Sequence, residues 1–183
     1  MSVMRRRLRW LPNAITIARL AGLPVLLVMV LQADGPTYVA AGILFAILAF
    51  SDLVDGFLAR ALNAQTNFGR IADPLADRLL MAVGLIGVMA MGRFDWPGPT
   101  IILVRDIGAM VAFALLARAG VGMRIDLAGK VSSGLNMVTV AVALGFEGQW
   151  INWVFAVAVV VSVLTAANYV RIAIHRLRSP TLT

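Results

Sequence analysis

Six apolar runs divide the chain, at roughly 12–32, 38–59, 72–91, 101–119, 128–146 and 151–172. Each is long enough to cross the hydrocarbon of a bilayer as a helix, which takes about 20 residues for about 30 Å. Polar residues inside the runs are few and regularly placed. Asn13, Thr16 and Arg19 interrupt the first run at helical spacing, Asp52 and Asp55 fall near the end of the second, Asp73 and Asp77 open the third, and Arg105-Asp106 sits within the fourth. The pattern predicts an all-α, polytopic membrane protein of six transmembrane helices. Residues 1–10, MSVMRRRLRW, are expected to form a short interfacial helix, with arginines toward anionic headgroups and Trp10 at the membrane boundary. The alternative is a secretory or twin-arginine signal, an Arg-rich start followed by an apolar run ending near Gln32-Ala33. Against it, a disposable targeting segment has no need of Asn13, Thr16 and Arg19 at helical spacing.

Composition agrees with the pattern. Of 183 residues 61% are hydrophobic and only 14% charged, with a mean hydropathy of +0.90, outside the range of ordinary soluble domains. Six spans consume nearly the whole length, so residues 1–183 are expected to form a single membrane domain. The absence of cysteine removes disulfides, thiolate nucleophiles and sulfur metal sites, and the one histidine, His175, lies in the polar tail. These limits argue against zinc and leave oxygen ligands, which suit hard cations such as magnesium, manganese or calcium.

The excess of 16 Lys and Arg over 9 Asp and Glu reads as topology and not as a nucleic-acid surface. Arg5, Arg6, Arg7 and Arg9 precede the first run, Arg60 and Arg70 lie in the second connection, Arg118, Arg124 and Lys130 around the fourth, and Arg176 and Arg178 follow the sixth. Only Arg93 lies in a connection on the other side. The positive-inside rule places both termini in the cytoplasm, and a multi-pass protein of the cell's inner (plasma) membrane is expected.

The candidate chemistry lies in four aspartates at the cytoplasmic ends of the second and third spans. At 100° per residue, Asp52, Asp55, Gly56 and Ala59 share one helix face, as do Asp73 and Asp77 with Gly69 one turn earlier. A connection of about a dozen residues would make the two helices antiparallel neighbours with their acidic faces together. Carboxylates in a bilayer cost at least a few kcal/mol each, and four like charges at close range call for a counter-ion. Two hard cations would answer both, in the arrangement that stabilises the attacking and leaving oxygens of phosphoryl transfer. Small residues at Gly56 and Ala59 would let a base or pyrophosphate approach the backbone, and the Arg60 fork suits phosphate oxygens. Taken singly, an Asp near a helix end also serves as a cap, and a membrane-helix glycine as a packing contact.

These residues, DLVDGFLAR and then GRIADPLAD, match the signature D-x-x-D-G-x-x-A-R-x(8)-G-x-x-x-D-x-x-x-D of the CDP-alcohol phosphatidyltransferases, which the chain resembles. Pro12-Asn13-x-x-Thr16-x-x-Arg19 resembles the opening of bacterial phosphatidylglycerophosphate synthases and their cardiolipin synthase relatives, and Arg105-Asp106 and Gly129-Lys130 fall where those enzymes carry Arg-acid and Gly-Lys pairs. The resemblance implies that Asp52, Asp55 and Asp73 ligate two divalent ions, Mg2+ or Mn2+. It makes Asp77 the fourth metal-site carboxylate and the catalytic base for the acceptor hydroxyl. Gly56, Ala59, Arg60 and Gly69 would line the CDP site, with Asn13 and Thr16 adding polar contacts. The implied reaction is attack of an alcohol on the phosphatidyl phosphorus of CDP-diacylglycerol, releasing CMP, in an enzyme that forms homodimers.

An anionic acceptor would need cations near the metals, and Arg105, Arg124, Lys130 and Arg171 are the candidates. Arg105 has a second reading as the partner of Asp106, while Lys130 and Arg171 have one as snorkelling anchors. The N-terminal motif favours glycerol 3-phosphate as acceptor. Arg-Asp in place of the more usual Arg-Glu is nearer the CDP-alcohol type of cardiolipin synthase, whose acceptor is phosphatidylglycerol. The rival from another class is a small ion or metal transporter, which would spread its acids through membrane depth instead of collecting them at one level.

Overall fold

The computed structural model describes residues 11–61, 67–118 and 127–178; for 11, 12, 53, 55–61, 67–71, 113–118, 127, 128 and 173–178 the description is of the backbone alone. The described residues form six helices and no strand: α1 (Leu11–Leu31), α2 (Val39–Ala61), α3 (Asn67–Ala90), α4 (Pro97–Arg118), α5 (Leu127–Gly145) and α6 (Gln149–Arg178). Each apolar run corresponds to one helix. The interfacial helix expected at residues 1–10 lies outside the described residues.

Two helix ends differ from the sequence reading. α3 begins at Asn67, ahead of the apolar run at 72, so the connection from α2 shortens from about a dozen residues to 62–66. Likewise α6 continues past 172 to Arg178. Hydropathy marks where lipid-compatible side chains start and stop, whereas backbone hydrogen bonds carry a helix on through polar residues such as Asn67, Arg70, His175 and Arg176.

Beside an apolar core that includes Leu26, Phe45, Leu85 and Ile151, the burial pattern departs from that of a water-soluble protein in two ways. Thr16, Arg19, Arg105, Asp106, Ser132 and Asn136 are buried, while Val25, Ile47, Leu79, Val104, Val138 and Val160, one from each helix, are exposed. Such an apolar surface would drive association in water and is at home against lipid. Among the described residues, α1 over Asn13–Leu31 and α6 over Gln149–Ile172 are long and apolar enough to cross a membrane, and Val39–Asp52 is a shorter apolar stretch. By contrast α3 carries Arg70, Asp73, Asp77 and Arg78 in its first half, and α4 carries Arg105 and Asp106, which lowers their hydropathy.

The chain divides into two compact units, one built from the described residues up to Arg93 with Val140–Glu147, the other from Phe94–Thr139 with the described residues from Gly148 on. In the first, α1 packs against both α2 and α3. Its buried stripe is Thr16, Arg19, Leu23, Leu26 and Val30, an alternation of three- and four-residue steps that keeps one face inward. A Cβ at Gly42 of α2 would lie 2.9 Å from both the Ala141 carbonyl oxygen and the Gly145 Cα, so only glycine permits this approach. The Tyr38 N–H donates to the Leu144 carbonyl at 2.6 Å beside it. α3 ends in a Schellman motif: Gly92 adopts φ 65°, its N–H bonds the Met89 carbonyl, and the Arg93 N–H bonds that of Val88.

In the second unit α4 packs on α6, and Phe94 stacks on Phe155 with ring centroids 3.9 Å apart. Asn136 of α5 and Ser162 of α6 exchange hydrogen bonds: Asn136 Nδ2 donates to Ser162 Oγ at 2.9 Å and Ser162 Oγ donates to Asn136 Oδ1 at 3.1 Å. Ser132 Oγ lies 3.5 Å from the same hydroxyl. All three side chains are buried, so the clasp satisfies polar groups that would otherwise face hydrocarbon.

The Gly42 approach gives a direct test. Gly42→Ala places a methyl against backbone, which has no rotamer to relieve it, and is expected to destabilise the protein by about 1–3 kcal/mol in denaturant titration of the detergent-solubilised protein. Gly134→Ala, where a Cβ meets nothing within 4 Å, is expected to be neutral or to stabilise by up to about 1 kcal/mol. Matching midpoints for Gly42→Ala and wild type would contradict the close approach.

Candidate active site

The centre of the site is one turn of α1. Thr16 and Arg19, three residues apart, point from the same face toward two different helices. Thr16 Oγ1 donates to Asp73 Oδ1 of α3 at 2.8 Å. Arg19 Nη1 donates to Asp52 Oδ1 of α2 at 2.6 Å, forming an ion pair. The Arg19 side chain is fully buried, whereas Asp52 keeps a third of its side chain exposed. A further bond runs from Arg19 Nε to Ser51 Oγ at 3.2 Å, and Ser51 Oγ itself donates to the Leu48 carbonyl at 2.7 Å. The guanidinium is thus fixed at two points on α2.

Asp77 stands one turn beyond Asp73, half-buried, with Arg78 Nη1 3.9 Å from its Oδ2. Asn13, also half-buried, precedes Thr16 on α1. Asp55, Gly56, Ala59 and Arg60 belong to the helical backbone of α2 and Gly69 to that of α3; their side chains lie outside the described set. The structure therefore brings Thr16, Arg19, Ser51, Asp52 and Asp73 together. Thr16, expected among the nucleotide contacts, meets an aspartate.

Of the four cations considered for an acceptor, Arg105 is buried in the second unit, with Nη1 2.6 Å from Asp106 Oδ1. Its Nε is buried with no hydrogen-bond partner among the described residues. Lys130 and Arg171 are exposed, and Arg124 lies outside the described residues.

The donor set suits a hard divalent cation. Asp52 and Asp73 are carboxylates on two helices, each engaged through Oδ1 by a donor on α1 and each only partly buried. Among the described residues no group of three or more histidine, cysteine, aspartate or glutamate side chains converges, and the Asp55 side chain is not among them. Beside the site, an open apolar groove of about 550 Å³ runs between α1 and α2, lined by Ile15, Ile43, Ile47, Phe50 and Ser51 among others. Ser51 is thus shared between the groove and the Arg19 network.

Sequence reasoning missed the partners of Arg19 and the part played by Ser51. The available signal was a charge in the first apolar run, one turn from Thr16. A buried arginine demands an acid, but helical spacing does not say which helix supplies it.

Comparison with known proteins bears on the whole chain. A "Probable phosphatidylglycerophosphate synthase" of Mycobacterium tuberculosis is 31% identical over 178 residues, covering 93% of this chain and 85% of the relative. The "CDP-diacylglycerol--glycerol-3-phosphate 3-phosphatidyltransferase" of Bacillus subtilis is 32% identical over 149 residues, 73% of this chain and 76% of that one. The protein of the same name from Salmonella choleraesuis is 28% identical over 172 residues, 89% of this chain and 94% of its own. The family model for CDP-alcohol phosphatidyltransferase matches residues 9–165, which take in the α1 turn and all four signature aspartates. With the signature unbroken and two of its aspartates gathered on α1, the chain belongs to the CDP-alcohol phosphatidyltransferase family.

Proposed function

We propose that this protein transfers the phosphatidyl group of CDP-diacylglycerol to glycerol 3-phosphate, forming phosphatidylglycerophosphate and releasing CMP. The observation that carries the reading is the pair of signature aspartates, Asp52 and Asp73, drawn from two helices onto one turn of α1. The names of the relatives supply the acceptor. Family membership also sets aside the transporter reading.

The family works with a divalent metal, and Asp52, Asp55 and Asp73 would hold two such ions, Mg2+ or Mn2+, with Asp77 completing the site. When bound, the ions neutralise the pyrophosphate and the charge that develops on transfer. Asp77 takes the proton of the acceptor hydroxyl, and the hydroxyl oxygen forms its bond to the phosphatidyl phosphorus as the bond to CMP breaks. Asn13, Gly56, Ala59, Arg60 and Gly69 line the nucleotide. The apolar groove between α1 and α2 suits an acyl chain of the donor lipid, because it adjoins Ser51 and offers almost no polar surface.

Arg105, Arg124, Lys130 and Arg171 would bind the anionic acceptor. The orphaned Arg105 Nε supports that role, because a buried donor without a partner favours an incoming anion. The single catalytic domain crosses the inner (plasma) membrane six times with both termini in the cytoplasm. The outward apolar residues on every helix and the arginine distribution support this topology. Two copies associate through helix faces away from the site.

Purified protein in detergent is expected to release CMP from CDP-diacylglycerol with Mg2+ or Mn2+, stimulated by glycerol 3-phosphate and stopped by a chelator. Stimulation by phosphatidylglycerol instead would identify a cardiolipin synthase, and release with neither acceptor would sink the reading. Asp77→Asn is expected to lower turnover by about 10²–10⁴-fold while CDP-diacylglycerol binding is kept. Asp52→Asn should impair metal binding and turnover together. Wild-type turnover by Asp77→Asn would eliminate the base assignment.

A further inference from the structure

The buried stripe of α1 is apolar at Leu23, Leu26 and Val30 and polar at Thr16 and Arg19. Each polar position faces one signature aspartate: Thr16 meets Asp73 at 2.8 Å and Arg19 meets Asp52 at 2.6 Å. We propose that Thr16 and Arg19 are positioning residues, which hold the Asp73 and Asp52 carboxylates in the geometry that receives divalent metal. The inference rests on the metal-site reading of those aspartates given above.

Packing alone does not account for the pair. A fully buried guanidinium is costly, and an apolar side chain at the same position of the stripe would continue the contacts of Leu23 and Leu26 without that cost. Arg19 is also held more tightly than a simple counter-ion requires. Nε is bound to Ser51 and Nη1 to Asp52, and Ser51 is itself anchored to the Leu48 carbonyl. This chain of bonds fixes the guanidinium plane and hence the Oδ1 edge of Asp52, whose side chain stays one-third accessible. Thr16 does the same for Asp73 with a neutral hydroxyl. Each donor engages one oxygen, Oδ1, of its carboxylate, and hydrogen-bonding partners of this kind orient metal ligands.

The test is Mn2+ affinity of the purified full-length protein in detergent without lipid substrate, read from the electron paramagnetic resonance signal of free Mn2+. Thr16→Val keeps the side-chain shape and removes the donor, Thr16→Ser keeps the donor, and Arg19→Gln removes the charge. Thr16→Val and Arg19→Gln are expected to weaken Mn2+ binding by about 10–100-fold, with Thr16→Ser close to wild type. Unchanged Mn2+ affinity in Thr16→Val and Arg19→Gln, even with a lower unfolding midpoint, would overturn the proposal in favour of a purely structural role. Tighter Mn2+ binding by Arg19→Gln would also overturn it, because the guanidinium would then be competing with the metal. Should Arg19→Gln fail to fold, the comparison of Thr16→Val with Thr16→Ser decides the matter. Wild-type protein that binds no Mn2+ would remove the metal-site reading itself, an outcome distinct from intact binding that ignores the substitutions.

Discussion

A guanidinium that solvent does not reach must be met by a negative charge, and in this fold that requirement ties the first helix to the second. Arg19 is fully buried and its charge is answered by Asp52. Because Thr16 sits one turn away on the same face, the docking that satisfies Arg19 also presents a hydroxyl to Asp73 on α3. Three helices are thereby set by two side chains of one. The contacts of Leu23, Leu26 and Val30 extend that docking along α1 but carry no such directional demand.

Each unit buries polar side chains beside an apolar core, and satisfies them by different means. The first uses the Arg19–Asp52 ion pair and the Thr16–Asp73 hydrogen bond. In the second, Asn136 and Ser162 satisfy each other without a formal charge, and Arg105 is paired through Nη1 with its own neighbour Asp106. Neutral hydrogen-bonded pairs are modest contributors in lipid, worth about 0.6–2 kcal/mol, so they specify which faces meet without dominating stability. Close backbone approach does the rest where side chains are absent, as between Gly42 and the Ala141–Gly145 turn.

Much of this was legible in the sequence. The six helices follow from apolar runs, and the aspartates of α2 and α3 stand out because a carboxylate in hydrocarbon is exceptional. The Arg105–Asp106 pair was readable because its members are adjacent in the chain. The partner of Arg19 lies 33 residues away and that of Thr16 lies 57 away. Helical periodicity shows which residues share a face of one helix, but it does not show onto which other helix that face docks. The Asn136–Ser162 clasp escaped for the same reason, and the start of α3 was hidden because Asn67 to Ile71 continue a helix without continuing an apolar run.

The Arg19–Asp52 pair also bears on how the protein is made. Asp52 follows Arg19 by 33 residues, so at about 5–20 residues per second roughly 2–7 s separate their synthesis. During that interval the nascent first helix carries a cation whose partner in the folded protein does not yet exist. Burial of Arg19 in its final, solvent-free position before α2 is made would leave the charge unpaired, so docking of α1 awaits α2. Thr16, being neutral, imposes no comparable delay while it awaits Asp73. One ion pair thus couples the order of synthesis to the docking of the first helix on the second.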